Sequence, residues 1–320
     1  MSFVRTVLGD IAPAQLGVCY AHEHVVIDRS FATERTPDFL LDDVERATSE
    51  LRALSDAGVR SVVDAMPCDA GRNVLKLARI AEASGVHVVA PTGLHLAKYY
   101  DAGHWGHGYT AEQLAGLFVA DIEIGIDAHD YNGPIVARTA HRAGVIKIAT
   151  ESVMKEREEK IFRAAASAHA RTGAPILTHT EEGALGLEHV ERLRALGVDL
   201  SHVCLSHLDR KPDLGYHREI LASGVRVEYD SAFRWTSGQG NPTRDLVIAL
   251  LPEFPGQIML GMDAARRRYW KSYGGSPGLT YLMCDFAAQL RAAGATEAQL
   301  HDIFVVTPAR TFTFGTPVVS

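Results

Sequence analysis

Short runs of Val, Ile and Leu recur along the chain, and between them apolar residues fall at helical spacing. The first run spans Gly17 to Ile27. A helical pattern follows over Leu41–Asp56, where Val44, Ala47, Leu51 and Leu54 recur and Gly58 stops the helix. Ser61–Met66 reads as a second strand, Asn73–Ser84 as a helix capped by Gly85, and Val86–Pro91 as a third strand. A helix over Ala111–Ala128 comes next. The second half keeps the alternation, with strands expected at Gly144–Ala149, Ala174–His179, His202–His207, Val225–Asp230 and Gln257–Asp263. Helices are expected over Glu156–Arg171, Leu187–Leu196, Leu214–Ser223, Thr243–Leu251 and Leu279–Ala293. One stretch breaks the rhythm. His95–Tyr109 is rich in His, Gly and aromatic residues and has no period, so it reads as a long loop, and such loops are more often functional than idle.

Eight strand–helix units in 320 residues, about 40 residues each, predict an α/β fold: a single (β/α)8 TIM barrel over residues 1–320. An open doubly wound sheet is the competing arrangement, but no glycine-rich dinucleotide fingerprint or P-loop follows any strand. Arg210–Pro212 reads only as a turn.

Composition narrows the class without changing the fold. An apolar fraction of 47% suits a globular chain with ample core. The net charge of −7 argues against a general nucleic-acid or anionic-membrane surface. The N-terminal MSFVRTVLGDIAPAQLG lacks the apolar core of a signal peptide, and no window approaches the roughly 18 uninterrupted apolar residues of a membrane span. Four cysteines (Cys19, Cys68, Cys204 and Cys284) are widely scattered, the first three in or beside strand-like runs, so buried reduced thiols are expected. By default the expectation is a cytoplasmic protein.

Within the first run, Ala21-His22-Glu23-His24 places two imidazoles on one face of a strand and Glu23 on the other. Alone, such a pair is as readily incidental as half a metal site. In a barrel, however, the C-terminal strand ends form one ring, and four more polar residues map to it. Lys147 lies within strand four; His179, His207 and Asp263 close strands five, six and eight. Each has an ordinary explanation: a satisfied core histidine, or an aspartate capping a helix. Lys147 resists one, because a buried ammonium is costly without a partner. Imidazole nitrogen and carboxylate oxygen suit Zn²⁺ or related divalent ions, and a catalytic site leaves a position open for water. Two neighbouring ions need an anionic bridge, which neutral histidines cannot supply. A lysine carbamylated by carbon dioxide can, and its cation disappears in the process.

The sequence resembles the phosphotriesterase family of the amidohydrolase superfamily over nearly its whole length. The resemblance rests on Gly17–His24 (GVCYAHEH), Gly144–Thr150 (GVIKIAT), Thr178-His179-Thr180, Ser206-His207 with Asp209, Gly261-Met262-Asp263 and Thr307-Pro308-Ala309-Arg310. It implies a binuclear-metal hydrolase on a (β/α)8 barrel. His22, His24 and Asp263 would hold the more buried ion, and His179 and His207 the more exposed one. Lys147, as N6-carboxylysine, would bridge them with a hydroxide. The ions would be Zn²⁺, with Mn²⁺, Co²⁺ or Fe as alternatives, and Asp263 would take the proton of the attacking water.

The loops must choose the substrate, since the family spans phosphotriester, acyl-homoserine lactone and sugar-lactone hydrolysis. After Asp263 comes Ala264-Ala265-Arg266-Arg267-Arg268-Tyr269-Trp270-Lys271. This cationic stretch suits an anion better than an apolar acyl chain. With His207–Asp213 it looks like the branch acting on phosphorylated aldonolactones, which implies phosphate contacts from Arg266 and Tyr269. Arg234 is the nearest match for a further cation after strand seven. Consecutive residues cannot all face a site, so Arg267 and Arg268 are expected to point outward; otherwise the stretch is a solvated basic helix start. Tyr100 or Tyr99 is the candidate from the His95–Tyr109 loop for holding a substrate carbonyl. The expected substrate is a small lactone or ester, anionic, with no nucleic-acid or membrane partner and a homodimer as a candidate assembly. The alternatives are a general lactonase acting on acyl lactones or organophosphate esters, and a barrel that binds metal without catalysis. A single-metal deaminase fits less well, because it would leave Lys147 without a task.

Overall fold

The computed structural model describes residues 2–235 and 240–318. It opens on an antiparallel hairpin, β1 (Val4–Thr6) with β2 (Gly9–Ile11), which the apolar runs do not announce. Parallel strands follow: β3 (Cys19–Glu23), β4 (Ser61–Asp64), β5 (His87–Val89), β6 (Pro91–Gly93), β7 (Val145–Thr150), β8 (Ile176–Thr180), β9 (Val203–Ser206), β10 (Arg226–Tyr229) and β11 (Ile258–Leu260). They pair in chain order as two arrays, β3 to β5 and β6 to β11. β5 and β6 are one strand broken at Ala90, whose carbonyl still accepts from Gly144 N at 2.8 Å. That leaves eight strand positions. At the other seam the carbonyl of His22 accepts from Met262 N at 3.2 Å and Asp263 N at 3.1 Å, joining the last strand to the first. The order is that of a (β/α)8 barrel.

Helices α1 (Phe31–Arg35), α2 (Val44–Asp56), α3 (Val74–Ser84), α4 (Ala111–Glu123), α5 (Glu156–Thr172), α6 (Gly186–Ala195), α7 (Leu214–Ala222), α8 (Pro242–Leu250) and α9 (Ala287–Ala292) follow in turn. Side chains of Asp43, Asn73, Thr110, Asp213 and Asn241 accept the free N–H groups that open α2, α3, α4, α7 and α8. The helix expected to reach Ala128 stops at Glu123. Gly125 there takes φ +153, and a Cβ on it would lie 1.8 Å from the Thr139 carbonyl. The chain beyond folds back on itself, with Ile126 N donating to His141 O at 2.8 Å. The last expected helix begins with a π turn, Leu282–Phe286, and Cys284 on that turn is exposed. Only Cys19, Cys68 and Cys204 are the buried thiols anticipated; Cys284 lies on an outer helix, away from any strand. Among the described residues no helix is long and apolar enough to cross a membrane.

The barrel interior is a separate apolar cluster. Cys19, Ala21, Val63, Val89, Val145, Leu177, Cys204 and Met259 meet there with Val4, Leu16 and Phe312. Strict alternation would turn His22 away from a barrel that already receives Cys19 and Ala21. The register of β3 resolves this: Tyr20 faces Val62 but Glu23 faces Asp64, so the strand carries one extra residue. Such a bulge re-aims the side chains beyond it. There His22 meets Ser206 and His24 meets Asp263, while Glu23 reaches the Met262 N–H at the seam with the last strand. Two glycines let strands close up at the same level. A Cβ on Gly261 would sit 2.7 Å from His22 O, and one on Gly93 (φ +102) would sit 1.9 Å from Lys147 O.

Gly93→Ala is therefore expected to destabilise the fold by at least about 1–3 kcal/mol, from its backbone conformation alone. Gly116→Ala, on α4 with nothing within 4 Å of the added Cβ, should instead gain up to about 1 kcal/mol of helix propensity. Paired thermal melts check both signs.

Candidate metal centre and active site

The strand ends bring the six expected residues to one rim. His22 and His24 come from the bulged end of β3, Lys147 from the middle of β7 and His179 from β8. His207 and Asp263 were expected to close their strands, but both lie beyond them. They take left-handed backbone angles, φ +66 and φ +45, that turn their side chains across the rim.

Distances knit the group together. His24 Nε2 lies 3.1 Å from Asp263 Oδ1, and His22 Nε2 lies 3.8 Å from the same oxygen. Lys147 Nζ is 3.5 Å from His22 Nε2. The rings of His22 and His207 are 4.7 Å apart and those of His179 and His207 4.5 Å. Two sets of donor atoms converge within 4.8 Å: His22, His24 and Asp263, and His22, His207, Glu228 and Asp230. His179 stands outside both sets; its Nε2 is held by Glu181 at 2.8 Å, and Glu181 in turn pairs with Lys98 at 2.6 Å.

Burial sets the protonation states. Desolvation, with Lys147 and neighbouring imidazoles adding to it, holds His22 well below the usual histidine range; His207 is lowered by desolvation and then by Arg210. His179 is pushed down to about 4, chiefly by burial. All three are neutral at pH 7, the form that ligates. Lys147 is fully buried, and desolvation brings its amine down to about 8. Asp263 goes the other way. Against the desolvation that would raise it, His24 and the guanidinium groups of Arg234 and Arg210 hold its carboxyl well below the usual range. His24 Nδ1 and both carboxylate oxygens of Glu228 are buried without a hydrogen-bond partner. Neutral imidazoles, the ionised Asp263 carboxylate and the unpartnered Glu228 oxygens form a donor set that fits divalent ions of the zinc type, beside an amine whose proton is easily lost.

A cavity of about 240 Å³ opens over this rim. Four cations stand on its wall: Lys98, Arg210, Arg234 and Arg266. Arg266 lies over the Phe39 ring at 4.5 Å, and Arg234 reaches Asp263 Oδ2 at 2.8 Å and the Tyr269 hydroxyl at 3.4 Å. Arg267 turns outward to the Leu40 carbonyl and Asp42, and Arg268 is exposed, as their adjacency requires. Tyr99 lines the cavity, but Tyr100 does not. Its hydroxyl is engaged elsewhere, accepting from His95 N at 2.8 Å and donating to Cys68 O at 3.0 Å.

Several residues escaped the reading of the sequence. Arg210, dismissed with its turn, donates to Asp263 Oδ2 at 2.7 Å and Asp230 Oδ1 at 3.2 Å. Asp230 receives His207 Nδ1, the carboxylate–imidazole contact that orients a ligating histidine. Its signal was present, since an acid ends the strand-seven run just as Asp263 ends strand eight. His95, beside His179 on the cavity wall, had only the loop's composition to mark it.

An α/β barrel with buried donors at its C-terminal rim and a cationic cavity above them defines a hydrolase class, and comparison with known proteins makes it specific. The model of the phosphotriesterase family matches residues 2–312, and the chain belongs to that family. It is a hydrolase of the lactonase and phosphotriesterase kind. A phospho-furanose lactonase of Mycoplasmopsis agalactiae is 33% identical over 99% of this chain and 93% of its own length. The crystal structure of a lactonase from Listeria monocytogenes superposes with a TM-score of 0.91 at 31% identity, covering 98% of this chain and 100% of the other. The phosphotriesterase homology protein from Escherichia coli, solved with phosphate in its active site, gives 0.84 at 32% identity over 93% and 99% of the two chains.

The lowered Lys147 amine makes a stability prediction for metal-free protein. The unfolded chain holds this proton up to pH 10.5 and the folded one only to about 8. Stability relative to Lys147→Met is therefore depressed below pH 8 and rises between pH 8 and 10.5, by about 3 kcal/mol at 1.36 kcal/mol per unit. Urea denaturation in chelator across that range reads the difference; a flat difference would show the amine to be unperturbed.

Proposed function

We propose that this chain is a binuclear metal-dependent lactonase acting on a small sugar lactone that carries a phosphate or similar anion, with residues 1–320 forming one catalytic unit. The observation that carries the reading is the cavity wall. Four cations stand against two carboxylates, Glu181 and Asp263, around a space of about 240 Å³, and a second space of about 640 Å³ shares Phe39, Lys98, Tyr99 and Arg266 with it. A long acyl chain or a neutral triester has no charge for these cations to meet.

His22, His24 and Asp263 would hold the more buried ion, His179 and His207 the more exposed one, and carbamylated Lys147 would join them. The ions, Zn²⁺ before Mn²⁺, Co²⁺ or Fe, would supply Lewis acidity and a water of lowered pKa. The rest falls to the chain. The neutral Lys147 amine, whose share reaches half at about pH 8, is the form that adds to carbon dioxide; an N–C bond forms, one proton leaves, and a buried cation becomes a carboxylate. Asp263 Oδ1 faces His22 and His24 and is the oxygen it would offer the buried ion, while Oδ2, held by Arg210 and Arg234, is the one that would take a proton from the attacking water. Arg266, Arg234 and Tyr269 receive the anion at the wall and hold the lactone carbonyl over the rim. For His179 to serve as a ligand through Nε2, Glu181 would have to release it, and Lys98 would remain as the partner of Glu181.

Loss of one charge-assisted contact costs about 1.5–3 kcal/mol. Arg266→Ala is accordingly expected to raise KM for a phosphorylated aldonolactone by about 10–100-fold and to leave the unphosphorylated analogue nearly unchanged. Steady-state kinetics on the matched pair tests this, and equal losses on both would contradict the anion assignment.

A further inference from the structure

His95 is a buried imidazole on the cavity wall that the proposed metal set does not use. Its ring nitrogens are not equivalent. The backbone N–H of Leu96 donates to His95 Nδ1 at 2.8 Å, so Nδ1 carries a lone pair and no proton. In the neutral ring the proton is then on Nε2, and the same bond excludes the imidazolium, in which both nitrogens would donate. Among the described residues nothing accepts from Nε2.

The surroundings fix this donor in place. His95 N donates to the Tyr100 hydroxyl at 2.8 Å, and His95 O accepts from Arg157 Nη2 at 2.9 Å. The Tyr99 ring meets the imidazole edge-on at 4.5 Å, and the His179 ring lies 5.1 Å away on the other side. Tyr100, absent from the cavity, is thus a positioning residue for one that lines it. An N–H held rigidly in a largely enclosed site, with no protein acceptor, is preorganised for an oxygen that gains charge during reaction.

We propose that His95 Nε2–H is a hydrogen-bond donor to the acyl oxygen of the substrate, on the His179 side of the site, and so a catalytic residue of this hydrolase. No proton is transferred; the donor stabilises negative charge as the acyl carbon becomes tetrahedral. The assignment rests on the lactonase reading for the identity of that oxygen, but the tautomer does not.

Two measurements on the full chain test it. Long-range ¹H–¹⁵N correlation spectra of labelled protein, with His95 assigned by its loss in His95→Gln, should show Nε2 protonated and Nδ1 bare. The Nδ1–H tautomer would overturn the proposal even if no substrate were known. With whichever lactone or ester the wild type opens best, His95→Leu should lower kcat by about 10²–10³-fold, the usual cost of one such donor, with little change in KM. His95→Gln, which keeps an N–H, should recover at least about tenfold of that. A kcat within about twofold of wild type in His95→Leu, or equal losses in both variants, would overturn the proposal. A wild type that opens no lactone or ester contradicts the functional reading instead, and leaves the tautomer to decide for His95.

Discussion

The carbonyl oxygen of His22 holds the barrel together at its seam and the active site together at its centre. It accepts the backbone N–H of both Met262 and Asp263, so the first and last barrel strands meet at the residues whose side chains enter the site. Glu23 strengthens the same join, its Oε1 accepting from Met262 N at 2.8 Å. Gly261 makes it sterically feasible, since any side chain there would strike His22 or Glu228. Fold closure and the site rest on the same contacts. A lesion at the seam would displace His22, His24 and Asp263 together.

Charge balance follows from that geometry. The rim gathers Glu228, Asp230 and Asp263 against Lys147, Arg210 and Arg234, all wholly or largely buried. Buried charges survive only where opposite charge or hydrogen bonds meet them. Arg210 answers two of the carboxylates at once, and Asp230 passes the constraint on to His207. Glu228 has no such hydrogen bond, and burial with Asp230 beside it pushes its carboxyl well above the usual range. Divalent ions at the neighbouring imidazoles would supply the positive charge this side of the rim lacks. The outer wall sets four cations against Glu181 and Asp263, a surplus that faces the cavity, where a substrate anion can meet it.

The alternation of apolar runs and helical patterns was enough to count eight strand positions, because burial between barrel and helices writes itself into period. The histidine pair, Lys147, His179, His207 and Asp263 were legible for the same reason: polar residues interrupt apolar strands at one level. The bulge in β3 was not, since Ala21-His22 looks like ordinary alternation until Cys19 and His22 must both face inward. The left-handed turns at His207 and Asp263 leave no mark beyond a residue type that tolerates them. Tyr100 and Tyr99 are neighbours in sequence, and only the three-dimensional path of their loop separates a cavity residue from a clamp. Arg210 carried no period at all; its place is set by the carboxylates it serves.

The most direct test of the account is a crystal structure of zinc-loaded protein with anomalous data collected on both sides of the zinc edge. Two anomalous peaks per chain should appear, one beside His22, His24 and Asp263 and one beside His179 and His207, with density for a carboxylate on Lys147 Nζ between them. A single peak held by His207, Glu228 and Asp230, or an unmodified Lys147 amine between two ions, would contradict it.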